Sequence, residues 1–294
     1  MIPIREFGGA GLKVSVLGLG AGQIGDASLA ETQVGNLLNA ALDLGVILID
    51  TAPSYGLSEE RIGRHLKHRR NEYALSTKVG YGVPGEPDWT YDCVRRGIDL
   101  ALGRLQTDYI DIVHLHSCSV ETLREGRAID ALDDARRAGK IRVVAYSGEN
   151  EALAFALASR RFQGIECSVN LCDQRVLETA LPTASERRLG VIAKRPVANA
   201  PWRFNERPIG DYAEEYWQRW KTMNLDRAGL TWQELALRFA AYAPGVSSCI
   251  VGTANDRHLR QNAGIVAKGP LPEDVVSGIR SAFSRHSQNW LGQV

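Results

Sequence analysis

Short apolar runs alternate with longer amphipathic stretches along nearly the whole chain. Eight apolar runs stand out: VSVLGLG from Val14, VILID from Val46, YALSTKV from Tyr73, YIDIVHLH from Tyr109, IRVVAYS from Ile141, QGIECSVN from Gln163, GVIAKR from Gly190 and SSCIVG from Ser247. Runs of this length, rich in Val and Ile and bounded by turn residues, read as buried strands. The stretches between them carry apolar residues at helical spacing. Leu37, Leu38, Ala41, Leu42 and Leu44 form one stripe, and Val94, Ile98, Ala101, Leu102 and Leu105 another. Gly45, Gly139 and Gly190 stand near the ends of such stretches, where a left-handed residue stops a helix. Strand and helix repeated eight times predict an α/β chain folded as one (β/α)8 barrel, a single domain over residues 1–294.

Three segments depart from that rhythm. REFGGAGLKVSVLG opens the chain with glycines between short apolar stretches, which predicts a hairpin capping the barrel floor. Val197 to Gly229 is a long insertion between strand seven and its helix, and a loop of that length carries its own structure or a function. Within it, YAEEYWQRW predicts a short helix held down by Tyr216, Trp217 and Trp220, while Trp202 and Phe204 are expected to wall a substrate pocket. The last predicted helix includes Val275 to Phe283, and the few residues after it suggest a mouth open on that side.

Composition narrows the function classes. With 35 basic and 34 acidic residues among 294, the net charge is +1, which argues against binding nucleic acid or a membrane surface through bulk charge. Cys93, Cys118, Cys167, Cys172 and Cys249 are scattered without a CxxC pair, as in a reduced, cytoplasmic protein. No run approaches the roughly 18 apolar residues of a membrane span. The expected partner is a small molecule, and the expected state a monomer or small homo-oligomer.

The GAGQIG motif, Gly20 to Gly25, offers a competing reading as a dinucleotide-binding turn, with Asp50 as its ribose-binding acid. The helical stripe after it starts only near Val34, behind a mostly polar stretch, so the motif reads better as the end of barrel strand one. Asp50 belongs to a richer set. Strand two ends at Asp50, with Tyr55 five residues on; strand three ends at Lys78 and strand four at His116. In a barrel these ends converge on one mouth, where active sites are built. An ammonium at Lys78 would lower the phenol pKa of Tyr55, Asp50 would hold Lys78 in place, and His116 would hydrogen-bond a substrate carbonyl. The set can deliver a proton but has no electron source, so reduction needs a bound hydride donor. His114 and His116 share one strand face, but no further residues at metal-ligand spacing complete a site, so no metal is expected.

These words resemble the aldo-keto reductase superfamily: LGLG at Leu17, IDTAPSYG with Glu59 and Gly63 beyond it, STK ending at Lys78, DYIDIVHLH ending at His116, VVAYSG at Val143, VNL at Val169, GVIAKRP at Gly190, and VGTAN with LRQN up to Asn262. They occur in the family's order over nearly the whole chain. The resemblance implies reduction of aldehydes or ketones with NAD(P)H, without metal, and Asp50, Tyr55, Lys78 and His116 as the catalytic set with Tyr55 as proton donor. A cofactor-binding regulatory barrel of the same family is the alternative. It further implies cofactor contacts at Gly20, Ala21, Asp50, Ser147, Glu166, Lys194, Arg195, Gly252, Thr253, Asn255, His258, Gln261 and Asn262, and substrate contacts at Tyr55, Tyr81, His116, Trp202 and Phe204. Three positions depart from the pattern. Gly148 replaces a common Asn, Glu166 a usual Gln, and Lys194–Arg195 the more frequent Tyr-Ser. The Lys and Arg of strong 2′-phosphate binders are Gly252 and His258 here; Arg257 or Arg260 can substitute, so NADPH is expected over NADH.

Overall fold

The computed structural model describes residues 1–294. Two short strands, β1 (Ile4–Glu6) and β2 (Lys13–Ser15), pair antiparallel. Eight parallel strands follow: β3 (Leu17–Gly20), β4 (Leu48–Asp50), β5 (Ala74–Val79), β6 (Ile110–His116), β7 (Ile141–Ser147), β8 (Gly164–Ser168), β9 (Gly190–Lys194) and β10 (Ser248–Gly252). They close into a barrel in chain order, with β10 beside β3. The helices are α1 (Glu31–Asp43), α2 (Ser58–Leu66), α3 (Tyr91–Leu105), α4 (Val120–Glu125), α5 (Arg127–Arg137), α6 (Asn150–Ser159), α7 (Ala180–Glu186), α8 (Glu214–Met223), α9 (Trp232–Ala241), α10 (Asp256–Val266) and α11 (Glu273–His286). This is the (β/α)8 barrel that the eight apolar runs predict.

Strand alternation explains why the runs are apolar throughout. One face of each strand packs on the helices and the other fills the barrel. Leu48, Ala74, Ile112, Val143, Ala145, Ile192 and Ile250 form the inner cluster with Phe7, which the hairpin delivers to the floor. A Cβ at Gly190 would lie 2.3 Å from the Phe7 ring, and one at Gly164 2.9 Å from it. Gly190 is therefore not a helix stop, contrary to the sequence reading; the left-handed residue there is Arg188 (φ 56°). Gly45 (φ 84°) and Gly139 (φ 75°) do hold left-handed stops.

The first apolar run proves to be two elements. Val14 and Ser15 belong to the hairpin, and the barrel strand starts at Leu17. The Ser15 hydroxyl marks the corner: it donates to Leu17 O (2.6 Å) and accepts from Ile47 N (2.8 Å).

The insertion carries its predicted helix as α8. Trp202 stacks on Trp232 (ring centroids 6.2 Å apart, planes at 18°), and Trp220 meets the same ring edge-on at 5.3 Å. Tyr216 is buried and its hydroxyl donates to Asp173 (3.2 Å). The residues after α11 return to the mouth instead of leaving it open. Gly292 N donates to Asn150 Oδ1 (2.8 Å), Gln293 N to Asp173 Oδ2 (3.2 Å), and the Arg195 guanidinium holds Gln293 O. Buried Arg219 also donates to Leu291 O (2.7 Å). Side-chain donors and acceptors around the mouth, not apolar patterning, bring this segment back.

Candidate active site

Asp50, Tyr55, Lys78 and His116 meet at the C-terminal end of the barrel. Asp50 and Lys78 are the last and next-to-last residues of adjacent strands and are almost fully buried. Lys78 Nζ donates to Asp50 Oδ2 (2.5 Å) and to Thr51 O (3.1 Å). Ser76 Oγ donates to Asp50 Oδ1 (2.7 Å) and lies 3.1 Å from His114 Nε2. The Tyr55 ring lies against this ammonium, with Nζ 5.5 Å from its centroid. The loop carrying Tyr55 is fixed by the glycine motif. Leu57 N donates to Gly25 O (3.0 Å), and a Cβ at Gly25 would fall 1.6 Å from Tyr55 O. The last glycine of GAGQIG thus exists for close approach to the Tyr55 loop, and no α-helix starts inside the motif.

His116, at the end of β6, is half-buried; Tyr81 OH lies 2.6 Å from its Nδ1 and 2.8 Å from Ser54 Oγ. Burial, and then the charge of Lys78, lower His116 to about 3, so the ring is neutral at physiological pH. Burial likewise takes His114 down to about 4.

Glu166 stands across from Asp50. Its Oε1 accepts from Ser147 Oγ (3.1 Å), and its Oε2 lies 3.6 Å from Lys78 Nζ without a hydrogen-bond partner. Two buried carboxylates therefore flank one ammonium and titrate as a pair. Burial and the Glu166 charge push Asp50 up to about 7 against the pull of Lys78. Burial also opposes ionisation of Glu166, but Lys78 and the neighbouring basic groups outweigh it and hold Glu166 at about 2. The phenol follows the same balance. Lys78 pulls Tyr55 down, as the sequence suggests, but burial, Asp50 and Glu166 together raise it to about 12. Asp50, His114 and Glu166 bring ligand-type atoms within 4.8 Å of one another, and the cation against them is the Lys78 ammonium.

A cavity of about 680 Å³ opens over this cluster. Of the residues singled out in the sequence, Gly20, Asp50, Tyr55, His116, Glu166, Lys194, Arg195 and Gly252 line it, together with Gln23, Ser117, Asn199, Arg203, Tyr212 and Val294. Ala21 is in the core instead, where its amide donates to Asp50 O (2.8 Å), and Ser147 sits behind Glu166. Trp202 and Phe204 do not line the cavity. Trp202 is committed to the Trp232 stack, and the exposed Arg203 between them reaches the wall. His258 and Gln261 are exposed on α10, and Asn262 is buried, accepting from Gln233 (3.0 Å). At the start of α10, Thr253 Oγ1 accepts from Asn255 N (3.0 Å) and Asn255 Oδ1 from Arg257 N (2.9 Å). Both amides are thereby withdrawn from a phosphate.

Sequence reading missed Glu149. This buried acid follows β7, accepts from Ser168 N (2.7 Å) and lies 3.4 Å from Lys194 Nζ. The rule that found Asp50, a charged residue at a strand end, would have found it too if extended two residues past the end. The Gly148 substitution also has a structural cause: a Cβ there would lie 2.5 Å from the buried Tyr146 hydroxyl. Asn cannot be introduced at that position without moving Tyr146.

A closed barrel with an Asp–Lys–Tyr–His cluster at its C-terminal mouth defines a class of oxidoreductase. Residues 16–283 match the aldo/keto reductase family, and the chain belongs to it. It is 26% identical over 298 residues to an uncharacterized oxidoreductase, YqkF, of Bacillus subtilis, covering 94% of this chain and 95% of that protein. It is 28% identical over 294 residues to L-galactose dehydrogenase of Arabidopsis thaliana, covering 91% and 89%. The holo form of the aldo-keto reductase AKR11C1 from Bacillus halodurans superposes with a TM-score of 0.82 at 26% identity, covering 96% of both chains. No helix is long and apolar enough to cross a membrane.

Proposed function

We propose that the protein, folded as a single domain, reduces aldehydes or ketones to alcohols with a nicotinamide cofactor. The observation that carries this reading is the Asp50–Lys78–Tyr55 arrangement beside His116 in one cavity. Tyr55, held protonated well past neutrality, is the proton donor to the developing alkoxide. Lys78, anchored by Asp50, supports the phenolate that remains. Neutral His116 carries one ring proton. With Tyr81 OH as the donor to Nδ1, the proton sits on Nε2, and Nε2–H is free to hold the substrate oxygen.

The cavity fits a nicotinamide dinucleotide on two grounds. The unpartnered Glu166 Oε2 is an acceptor for a carboxamide NH2, and Lys194 and Arg195 offer positive charge for the pyrophosphate. When bound, that cofactor supplies the hydride. Arg260 is engaged by Asp256 (2.8 Å), whereas Arg257 is exposed on the same helix turn and suits a 2′-phosphate, so we infer NADPH over NADH. We place the enzyme in the cytoplasm, on the grounds of its five free thiols.

Mixing the protein with NADPH, then NADH, and a panel of aldehydes and ketones tests the reading. Oxidation of bound cofactor by at least one carbonyl is expected. Tight binding without oxidation by any of them would favour the regulatory alternative.

A further inference from the structure

The charges lining the cavity are sorted, and the sorting has a consequence. At the inner end stand Asp50 and Glu166 with Lys78, two carboxylates and one ammonium. Of the other groups facing Glu166, His114 (3.7 Å) and His116 are neutral, Ser147 donates a hydrogen bond and Tyr55 is a protonated phenol, while Lys194 on β9 is the one further cation whose charge reaches it. On the β9 side stand Lys194 and Arg195 with Glu149, at 3.4 and 4.0 Å, two cations and one carboxylate. With both inner acids ionised, the inner end carries one excess negative charge and the β9 side one excess positive charge. Both ends line the same cavity.

Glu166 creates the inner excess. It lines the cavity, is 2% exposed, and its Oε2, 3.6 Å from Lys78 Nζ and 3.7 Å from His114 Nε2, has no hydrogen-bond donor from the protein. A Gln at this position would fill the same volume and leave the inner end neutral.

We propose that Glu166 makes this site discriminate between cofactor redox states, binding the oxidised, cationic nicotinamide more tightly than the neutral reduced ring. The proposal rests on the nicotinamide reading above. Its physical basis is attraction between a buried carboxylate and a ring that is positive in one redox state and uncharged in the other. The rest of the dinucleotide is common to both forms, so the ratio of their affinities isolates the ring. An enzyme with this bias fills with oxidised cofactor at lower concentration than with reduced cofactor, and its bound equilibrium shifts toward alcohol and oxidised cofactor.

The test is equilibrium titration of the full-length protein with NADP+ and NADPH, and with NAD+ and NADH, above the Asp50 titration at about 7. The wild type is expected to bind the oxidised member of the preferred pair more tightly, and Glu166→Gln to lower that preference on the order of tenfold. Wild-type affinities that are equal, or tighter for the reduced form, would overturn the proposal even if the variant failed to fold. So would a Glu166→Gln protein with an unchanged ratio. In either case binding of both forms would leave the nicotinamide reading standing. Binding of neither form by the wild type would remove that reading, and this proposal with it.

Discussion

At the scale of single residues, the site works by balancing charge against burial. Lys78 alone would make Tyr55 a stronger acid, but burial, with the charges of Asp50 and then Glu166, reverses the sign. The consequence is visible in pH dependence. A phenol raised above its ordinary value stays protonated as pH rises through 10, and it is lost as a donor only near 12. The alkaline limb of kcat/KM for carbonyl reduction is therefore expected above pH 10, and a fall near neutrality that Tyr55→Phe removes would contradict this. Asp50, Lys78 and His116 were legible in the sequence because each ends an apolar run, where a barrel exposes side chains to its mouth. Tyr55 came from the DTAxxYG word. Trp202 and Phe204 misled because aromatic residues in a long loop serve packing as readily as binding. The choice of Trp232 as the stacking partner depends on tertiary geometry.

At the scale of elements, the hairpin and the glycine turns position the chemistry from a distance. Phe7 fills the barrel floor against Gly164 and Gly190, at the end opposite the catalytic cluster. Phe7→Ala would leave a cavity in a closed core and is expected to cost about 3–5 kcal/mol of stability. Urea unfolding checks this, and cofactor affinity of the folded fraction should remain near that of the wild type. A loss under about 1 kcal/mol would mean that the floor collapses to fill the gap. Eight strands were readable from apolar runs alone, yet the split of the first run at Val16 was not. A hairpin strand and a barrel strand in tandem have the same alternating pattern, and only the Ser15 hydrogen bonds separate them.

At the scale of the whole molecule, the segment after α11 completes the mouth. Val294 lines the cavity, and Arg195 divides its hydrogen bonds among Gln293 O, Ser168 Oγ (3.0 Å) and Tyr212 OH (2.6 Å). Nothing in the hydropathy of Leu291–Val294 announces this, because main-chain groups make the contacts with Asn150, Asp173, Arg195 and Arg219. Deleting Leu291–Val294 is expected to raise the KM for carbonyl substrates severalfold while changing kcat less, since the deletion opens the wall without touching Tyr55. Steady-state kinetics over a substrate series checks this; a loss confined to kcat would place the segment in the chemistry instead.

The central claim is that Tyr55 donates the proton in a carbonyl reduction at this mouth. Single-turnover mixing of the NADPH-loaded protein with an aldehyde, for the wild type and for Tyr55→Phe, tests it most directly. The wild type should oxidise its bound cofactor, and the variant should do so about 10²–10⁴-fold more slowly with cofactor affinity almost unchanged. Equal rates for the two proteins would contradict the assignment.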